Sequence, residues 1–262
     1  MAEAQLLFLG SGTSHGVPMI GCDCEVCRSS DQRDRRFRSG TAILLPPGPP
    51  TDGRVILIDV APEFRLAAIA NRLARVDAIL FTHAHADHIM GMDDIRRYNE
   101  IIGGPIQCFG DERTIQIVRR NFAYTDRPYR GDGWPTAAFN ILDSRREVCG
   151  VTVQPIPLLH GPSPVLGYRV GTLAYCTDCS EIPSASRPLL EGLDVLVIDG
   201  LRYTPHPTHL NIPGALAAIA EIRPRRAILT HITHQVSHAR TSAELPPGVE
   251  LAYDGLRVTF TL

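Results

Sequence analysis

Short apolar runs that end in Gly, Pro, Asp or His recur along the whole chain and predict buried strands. In chain order, the predicted strands are 6–9, 41–45, 55–58, 78–81, 106–109, 151–158, 166–170, 172–175, 195–198, 227–229 and 257–262. Apolar residues at helical spacing predict helices at 63–75, 112–122 and 212–222. The Gly- and Pro-rich stretch 124–140 is expected to be irregular.

The order of these elements indicates how the chain packs. Hairpin-spaced strands occur in both halves, and helices separate the later strands, so we predict an α/β fold of two mixed sheets packed face to face with helices on the outer faces. The 262 residues suffice for one large domain with a substantial core. Because neither a repeat nor a linker interrupts the sequence, residues 1–262 are predicted to form a single domain.

Composition and charge are those of an ordinary globular protein. Hydrophobic residues make up 44% and charged residues 21%, and the net charge of −2 gives no global reason to expect nucleic-acid or membrane binding. No apolar run reaches the ~18 residues of a membrane span, and the first residues do not resemble a secretion signal. We therefore predict a cytoplasmic protein whose seven cysteines are reduced thiols or metal ligands.

The strongest chemical signal is the segment Thr82-His83-Ala84-His85-Ala86-Asp87-His88, directly after a predicted strand. Imidazole nitrogen and carboxylate oxygen are ligands that zinc, manganese and iron accept. Residues two apart in extended backbone point the same way, so His83 and His85 can converge on one ion. A helical turn after them would carry Asp87 and His88 towards a second ion. The alternative is a His-rich surface loop, but the strand, the spacing and the ligand types all favour a metal site.

His83-x-His85-x-Asp87-His88 resembles the signature of the metallo-β-lactamase superfamily. The resemblance implies an αββα sandwich with two metal ions at one edge of the paired sheets, and three further ligands at strand ends. In the order that the family requires, these are His160, Asp178 and His231. The resemblance implies that one ion is bound by His83, His85 and His160, and the other by Asp87, His88 and His231. It also implies that Asp178 bridges the two ions.

Three cysteines form a second group of metal ligands in a Gly- and Pro-flanked loop at about 20–38, with the sequence Cys22-Asp23-Cys24-Glu25-Val26-Cys27. Cys22 and Cys24 are too close for an ordinary disulfide. Three thiolates that lack a fourth partner indicate a structural zinc site, and His234, three residues past His231, is the best fourth ligand. Free thiols are the alternative. The other cysteines are predicted to be small apolar fillers: Cys108, Cys149, Cys176 and Cys179.

This cysteine insertion, with Gly10-Ser11-Gly12 and Gly16-Val17-Pro18 before it, is similar to the PhnP-like (phosphoribosyl 1,2-cyclic phosphate phosphodiesterase) branch of the superfamily. The similarity extends to Tyr253-Asp254-Gly255 near the end of the chain. It implies hydrolysis of a small cyclic phosphodiester and a zinc ion held by the three cysteines and His234. The chain departs from the branch at Cys179 and in the loop 203–208.

Two adjacent divalent ions (manganese, zinc or iron) polarise a phosphoryl oxygen and supply hydroxide near neutral pH. We therefore expect metal-hydroxide attack on a phosphodiester, with Asp87 as both a metal ligand and the group that orients the hydroxide. His209, at the position of the general acid in the resembling branch, is predicted to protonate the leaving oxygen. The alternatives are that His206 is the acid and that His209 is a surface residue at a helix start.

Two further segments are weaker candidates for substrate contact. The N–H groups and hydroxyls of residues 11–14 could face the phosphate, or they could form a plain strand-to-loop turn. In the loop 33–38, Arg35, Arg36 and Arg38 could line the substrate entrance, or they could be solvated loop residues.

The main alternative among enzymes is a transfer-RNA 3′-end processing endonuclease of the RNase Z type. That family adds a Gly- and Lys-rich arm, and this chain has no lysine. A non-catalytic, zinc-stabilised binding module is the alternative of another class, but such a protein would be expected to have lost metal ligands, and all seven are present. The expected partner is a small phosphodiester substrate, not nucleic acid or a membrane. The sequence does not specify the oligomeric state, although relatives often form homodimers.

Overall fold

The computed structural model describes residues 2–262. Its strands are β1 (Glu3–Gly10), β2 (Gly40–Leu44), β3 (Val55–Ile58), β4 (Ala78–Leu80), β5 (Ile106–Gly110), β6 (Ala137–Ile141), β7 (Arg146–Val148), β8 (Val151–His160), β9 (Ser163–Val170), β10 (Leu173–Cys176), β11 (Val195–Asp199), β12 (Arg226–Thr230), β13 (Val249–Leu251) and β14 (Arg257–Thr261). Its helices are α1 (Phe64–Ala70), α2 (Ala86–Ile89), α3 (Arg96–Ile102), α4 (Glu112–Asn121), α5 (Ile212–Ile222) and α6 (His238–Glu244). Within residues 2–262, none of the helices has the length and apolar character needed to cross a membrane.

Two mixed sheets of seven strands each form the centre of the fold. Their strand orders are β14-β1-β2-β3-β4-β5-β6 and β13-β12-β11-β10-β9-β8-β7. The strands from β3 to β6 pair in parallel, as do those from β10 to β13, and the remaining pairs are antiparallel. The predicted α/β class, two mixed sheets with helices, is confirmed.

Side-chain alternation along the strands divides the core into three layers. In β1, Leu6 and Phe8 lie in the layer between the sheets, whereas Leu7 and Leu9 pack in the outer layer that includes α1. The third layer lies on the other side of the second sheet, where Ile198 packs in the cluster that includes α5. Truncating one such buried aliphatic side chain to alanine costs roughly 2–5 kcal/mol, so both faces of each sheet are strongly specified.

The observed elements differ from the predicted ones where a local signal is weak. The helix predicted at 63–75 ends at Ala70, because Asn71 caps it and Arg72 adopts a left-handed φ of +51°. Strand β6 lies in the stretch expected to be irregular, and β5 supplies its hydrogen-bonding partner. The pattern also did not predict the short elements α3, α6, β7 and β13, which are ordered by packing against longer neighbours.

The carboxyl ends of parallel strands meet at one edge of the sandwich, which is where open α/β sheets bind ligands. Asp59 follows β3, and His83 lies three residues past β4 in the first sheet. In the second sheet, Asp178 follows β10, Asp199 ends β11 and His231 follows β12. Residues far apart in sequence therefore reach a common site.

Candidate metal centre and adjoining pocket

Asp178 belongs to three groups of candidate ligand atoms, and within each group the atoms lie within 4.8 Å of one another. One of these groups is Asp178 with Asp199 and His209. The other two contain the predicted ligands: His83, His85 and His160 with Asp178, and His88 and His231 with Asp178. Asp178 Oδ2 is 3.7 Å from His83 Nε2. Asp178 Oδ1 faces the other group, 3.3 Å from His88 Nε2 and 3.0 Å from His231 Nδ1. The two carboxylate oxygens thus point to different groups, as a bridging ligand requires.

Asp87 joins the second group through His88. It lies in the first turn of α2, it is buried, and its Oδ2 is 3.4 Å from His88 Nε2. His88 Nε2 is itself buried and makes no hydrogen bond, although carboxylate oxygens of Asp87 and Asp178 lie nearby. Ligand atoms about 2.1 Å from one tetrahedral ion would be separated by roughly 3.4 Å. The separations of 3.4 and 3.3 Å from His88 Nε2 to Asp87 and Asp178 are close to that value. His83 Nε2 and His85 Nδ1 are 2.8 Å apart, which is a hydrogen-bond distance.

The electrostatics of the site also suit a cation. Burial holds the pKa of His83 well below its usual value and lowers the pKa of His231, so both imidazoles stay neutral and keep a lone pair for a metal. Burial alone would lower the pKa of His88, but the carboxylates of Asp178 and Asp59 outweigh burial and raise it well above its usual value. This pocket therefore strongly attracts positive charge.

Buried groups behind the ligands fix how the imidazoles point. Asp59 Oδ2 accepts a hydrogen bond from His88 Nδ1 at 2.7 Å, and Asp59 is tied to Thr82 through the Thr82 N–H at 2.8 Å. His160 Nδ1 lies 2.7 Å from the carbonyl oxygen of Thr208 and donates to it. Because each Nδ1 carries the proton, Nε2 of His88 and of His160 is left to face the centre.

A second aspartate–histidine pair lies on the other side of Asp178. Asp199 Oδ2 is 2.8 Å from His209 Nδ1, and Asp199 also accepts from the N–H groups of Asp178 at 2.7 Å and Cys179 at 3.0 Å. Burial alone would lower the pKa of His209, but the hydrogen bond to Asp199 and its charge raise it. The ring of His209 stacks on that of His231 with centroids 4.7 Å apart, so His209 lies beside the centre.

Sequence reasoning missed Asp59 and Asp199. Both follow the same signal, an aspartate after a fully apolar strand: Val55-Ile56-Leu57-Ile58-Asp59 and Val195-Leu196-Val197-Ile198-Asp199. Such a carboxylate is almost never fully buried without a partner, so the repeated pattern could have pointed to both. Asp59, Asp178 and His231 also share a left-handed backbone, with φ between +53° and +61°, a strain that the surrounding structure must maintain.

A small pocket of about 200 Å³ adjoins the centre beside His209. Its ionisable lining side chains are all basic: His15, Arg202, His206, His209 and His234. The Arg202 guanidinium is held by the carbonyl oxygens of Thr204 at 3.3 Å and Pro205 at 2.9 Å, with no carboxylate among its hydrogen-bond partners. His206, the alternative general acid, lies with its ring 5.2 Å from that of His209. The pocket is therefore suited to an anion.

The turn at residues 11–14 does not offer its first N–H groups to a ligand. The N–H of Ser11 donates to Asp254, that of Gly12 to Phe37 O, and that of Thr13 to Ile232 O. A side chain at Gly10 would place Cβ 2.0 Å from the carbonyl oxygen of residue 38, which explains a glycine there. The prediction that the backbone N–H groups of residues 11–13 contact the phosphate is therefore wrong.

The arginines of the loop 33–38 have three different environments. Arg35 is exposed, and Arg38 forms an ion pair with Glu63. The Arg36 side chain is fully buried and pairs with Asp34 at 3.0 Å, so it neither lines an entrance nor is solvated.

Cys22, Cys24, Cys27 and His234 form one compact group, with ligand atoms within 4.8 Å of one another. The sulfur atoms of Cys22 and Cys24 are each 3.3 Å from His234 Nδ1. The Cys27 N–H donates to Cys24 and lowers the pKa of that thiol to about 6, so Cys24 is largely thiolate at neutral pH. Burial raises the pKa of Cys27 to about 11. Three sulfurs and one imidazole are the donor set of a structural zinc site.

The remaining cysteines are free thiols. Cys108, Cys176 and Cys179 are buried in the outer core layers, and Cys149 is partly buried. Cys176 and Cys179 flank Asp178 without forming a disulfide.

Comparison with known proteins identifies a family for this chain and solved structures that resemble it. Residues 54–232 match the profile of a family described as the β-lactamase superfamily domain. The crystal structure of a new diphosphatase from the PhnP family is similar, with a TM-score of 0.90, 39% identity, and coverage of 99% of this chain and 98% of that one. Zinc-bound PqqB from Methylobacterium extorquens has a TM-score of 0.75 at 21% identity, over 97% of this chain and 99% of that one, and shares the fold.

An octanoyltransferase from Porphyromonas gingivalis is 36% identical over 258 residues, which is 95% of this chain. This chain spans about half of that relative's length, 50%.

Proposed function

We propose that this chain, which belongs to the β-lactamase superfamily, is a phosphodiesterase with two metal ions in its active site. Its substrate would be a small cyclic phosphodiester such as phosphoribosyl 1,2-cyclic phosphate. The family and the likeness to a PhnP-family diphosphatase make it a metal-dependent hydrolase with the metallo-β-lactamase fold. The phosphodiester substrate is the part that we propose.

The ligand assignment is part of the proposal. We assign three residues to each ion and one bridging residue: His83, His85 and His160; Asp87, His88 and His231; and Asp178. Divalent ions held there would polarise the phosphoryl group and lower the pKa of a water molecule towards neutrality. Cys22, Cys24, Cys27 and His234 would hold a structural zinc ion.

The protein's own groups position the reactants and move the proton. Asp87 lies beside His88 at the rim of the second group, where its carboxylate can orient the attacking water. His209 holds its Nδ1 proton against Asp199, which leaves Nε2 to donate a proton to the leaving oxygen. The raised pKa of His209 keeps this acid protonated to higher pH than an ordinary histidine.

The basic pocket is the observation that supports a substrate with two phosphate groups. Phosphoribosyl 1,2-cyclic phosphate has a second phosphate in addition to the cyclic diester, and the Arg202 guanidinium can bind it while the diester lies at the metal centre. Burial lowers the pKa of His206, so this side chain can add a neutral hydrogen bond. A neutral lactam or thioester would leave the Arg202 guanidinium without an anionic partner. A volume of about 200 Å³ also favours a small sugar phosphate over a large nucleic acid.

A second candidate reaction is hydrolysis of a phosphoanhydride. The 39% identical structure is described as a diphosphatase, and a diphosphate would also place one phosphate at the metal centre and one in the basic pocket. The two reactions need the same groups, so only turnover can separate them.

The test is turnover by chain stripped of metal and reloaded with Mn²⁺ or Zn²⁺. The panel contains phosphoribosyl 1,2-cyclic phosphate, bis(p-nitrophenyl) phosphate, a cyclic nucleotide, a phosphoanhydride and a precursor transfer RNA. We expect the highest kcat/KM for the cyclic sugar phosphate. Preference for the anhydride would favour the diphosphatase reaction, cleavage of the RNA would favour the RNase Z reaction, and no turnover above a chelated control would favour a binding module.

Arg202→Met tests the pocket separately. Losing a charge-assisted hydrogen bond should raise KM for the cyclic sugar phosphate about tenfold or more and leave bis(p-nitrophenyl) phosphate unchanged. Arg169→Met is the control, since Arg169 also donates only to backbone carbonyls, those of Gly171, Leu189 and Glu191, but does not line the pocket. An equal change for both substrates would reject a second-phosphate site at Arg202.

A further inference from the structure

Arg36 is a cation buried inside the fold, with 0% of its side chain exposed. Its guanidinium donates to three acceptors: Thr233 O at 3.1 Å, Val236 O at 2.9 Å and Asp34 Oδ1 at 3.0 Å. The same Asp34 oxygen accepts from the His238 N–H at 2.7 Å. Burying a guanidinium is costly unless it is paired and hydrogen-bonded. The contacts that satisfy Arg36 also fix the position of one segment of the chain.

The segment that Arg36 holds is residues 231–238. It carries His231 of the dinuclear centre and, three residues later, His234 of the cysteine site. The two carbonyls that Arg36 binds lie on either side of His234. His234 and Gln235 also line the basic pocket. Any shift of this segment therefore reaches a metal ligand at one end and the pocket wall at the other.

The cysteine loop grips the same segment at a second point. Cys22 and Cys24 contact the His234 side chain, whereas Arg36, at the far end of that loop, binds the backbone around it. His231 has a left-handed φ of +58°, which is unfavourable for histidine and depends on external support. The N–H of the next residue, Ile232, is in turn fixed by Ser11 O at 3.0 Å.

We propose that Arg36 is a positioning residue that couples the two metal sites through residues 231–236. Zinc in the cysteine site fixes His234, and the Arg36 clamp passes that order to His231, so zinc raises the affinity of the dinuclear centre for its ion. Thermodynamic linkage requires the reverse effect to have the same factor. The inference rests on the metal assignments of the proposed function.

The experiment measures binding, not turnover. Metal-free protein is titrated with Mn²⁺, with and without one equivalent of Zn²⁺, and free Mn²⁺ is followed by electron paramagnetic resonance. Thiolates select zinc and His/Asp sites accept manganese, so the two ions report on different sites. We expect zinc to lower the Mn²⁺ dissociation constant about tenfold, within the usual range of couplings. Competition with a chromophoric chelator should show that Mn²⁺ tightens zinc binding by the same factor.

The double variant Arg36→Met/Asp34→Asn removes the clamp without leaving a buried unpaired charge. We expect its ratio of Mn²⁺ dissociation constants, without and with zinc, to fall towards one. Arg75→Met/Asp77→Asn is the control for removing an Arg–Asp pair of the same spacing, because neither residue belongs to a candidate metal group or lines the basic pocket. This pair is more exposed than the Arg36–Asp34 pair, so the control does not match the burial of Arg36. A purely structural role would lower the thermal midpoint and leave the ratio unchanged, so each variant's midpoint is measured too.

Each outcome has a distinct meaning. A ratio of one in the wild type, or a wild-type ratio in the clamp variant, overturns the coupling. Should the double variant not fold, Arg36→Lys keeps the charge but cannot span both carbonyls, and its ratio decides instead. Absence of zinc binding at the cysteines would instead refute the metal assignment in the proposed function.

Discussion

Two aspartate–histidine pairs, Asp59–His88 and Asp199–His209, face Asp178 from the two sheets. Asp59 follows the apolar strand β3, Asp199 is the last residue of the apolar strand β11, and an isoleucine precedes each aspartate. Each aspartate accepts a hydrogen bond from a histidine Nδ1, at 2.7 Å for Asp59 and 2.8 Å for Asp199. Their surroundings differ. His88 is completely buried with its free nitrogen among carboxylates, whereas His209 is 10% exposed and lines the basic pocket.

The comparison indicates that the same aspartate–histidine pair can have two roles, depending on the groups that surround the free histidine nitrogen. Burial would lower the pKa of both histidines, but Asp178 together with Asp59 raises the pKa of His88, and Asp199 raises that of His209. Carboxylates around the His88 nitrogen favour a cation at that position, so this pair supports a metal ion. His209 lines the pocket where the proposed substrate would lie, so in the proposed reaction its raised pKa suits it to donate a proton. The following changes separate the two roles.

The largest effect is expected from Asp178→Ala, because Asp178 contacts both pairs. Losing the bridge should remove the several kcal/mol that two ions contribute to the transition state, or roughly 10⁴-fold in kcat/KM. Turnover of bis(p-nitrophenyl) phosphate with Mn²⁺ measures the loss, and circular dichroism checks the fold. Near wild-type rates would reject the dinuclear assignment.

His209→Ala should disable only the proton donor. We expect a loss of roughly 10²–10³-fold for a substrate with an alkoxide leaving group, the scale of general acid catalysis. A p-nitrophenolate ester, whose leaving group needs no proton, should lose much less, and metal content should not change. Equal losses for the two substrates would remove the acid role and reopen the choice of His206.

Asp59→Asn should act on the metal and not on the proton. A hydrogen-bonding partner behind a metal ligand usually contributes 10–100-fold in affinity, so we expect Mn²⁺ binding to weaken by about that factor. His209→Ala is the control that should retain Mn²⁺ affinity, because it removes a histidine that is not a proposed ligand and keeps the Asp199 carboxylate that accepts from the Asp178 N–H. If both variants weakened binding alike, the two pairs would not have separate roles.

The smallest effect is a shift in pH dependence for Asp199→Asn. Asp199 raises the pKa of His209, so the acid form and the activity that needs it persist below that pKa and are lost as pH rises through it. Without the carboxylate the pKa falls, and the alkaline limb of kcat/KM should move to lower pH. The measurement is a pH profile with an alkoxide-leaving substrate. An unmoved limb would mean that another group sets it.

The long apolar strands and the helices at 112–122 and 212–222 were predictable, because their periodicity is local. Short elements such as α3 and β6 were not, because they depend on neighbours that the pattern does not show. The seven proposed ligands were found through their order in the chain, and the structure brings six of them into two tight groups. Asp87 joins through His88. The cysteine site was found because four donors of the right type could be matched to one ion.

The sequence by itself determined the types of the proposed ligand residues, their order and their placement at strand ends, since these depend on residue identity and local periodicity. Only the tertiary structure decided what lies behind and beside them: the carboxylates of Asp59 and Asp199, the burial of Arg36 and the use of the residue 11–13 N–H groups within the fold. The reason is that burial and hydrogen-bond partnership are relations between distant segments. The sequence of a loop is the same whether its charged side chain faces solvent or is buried in the core, so it does not show which of the two occurs.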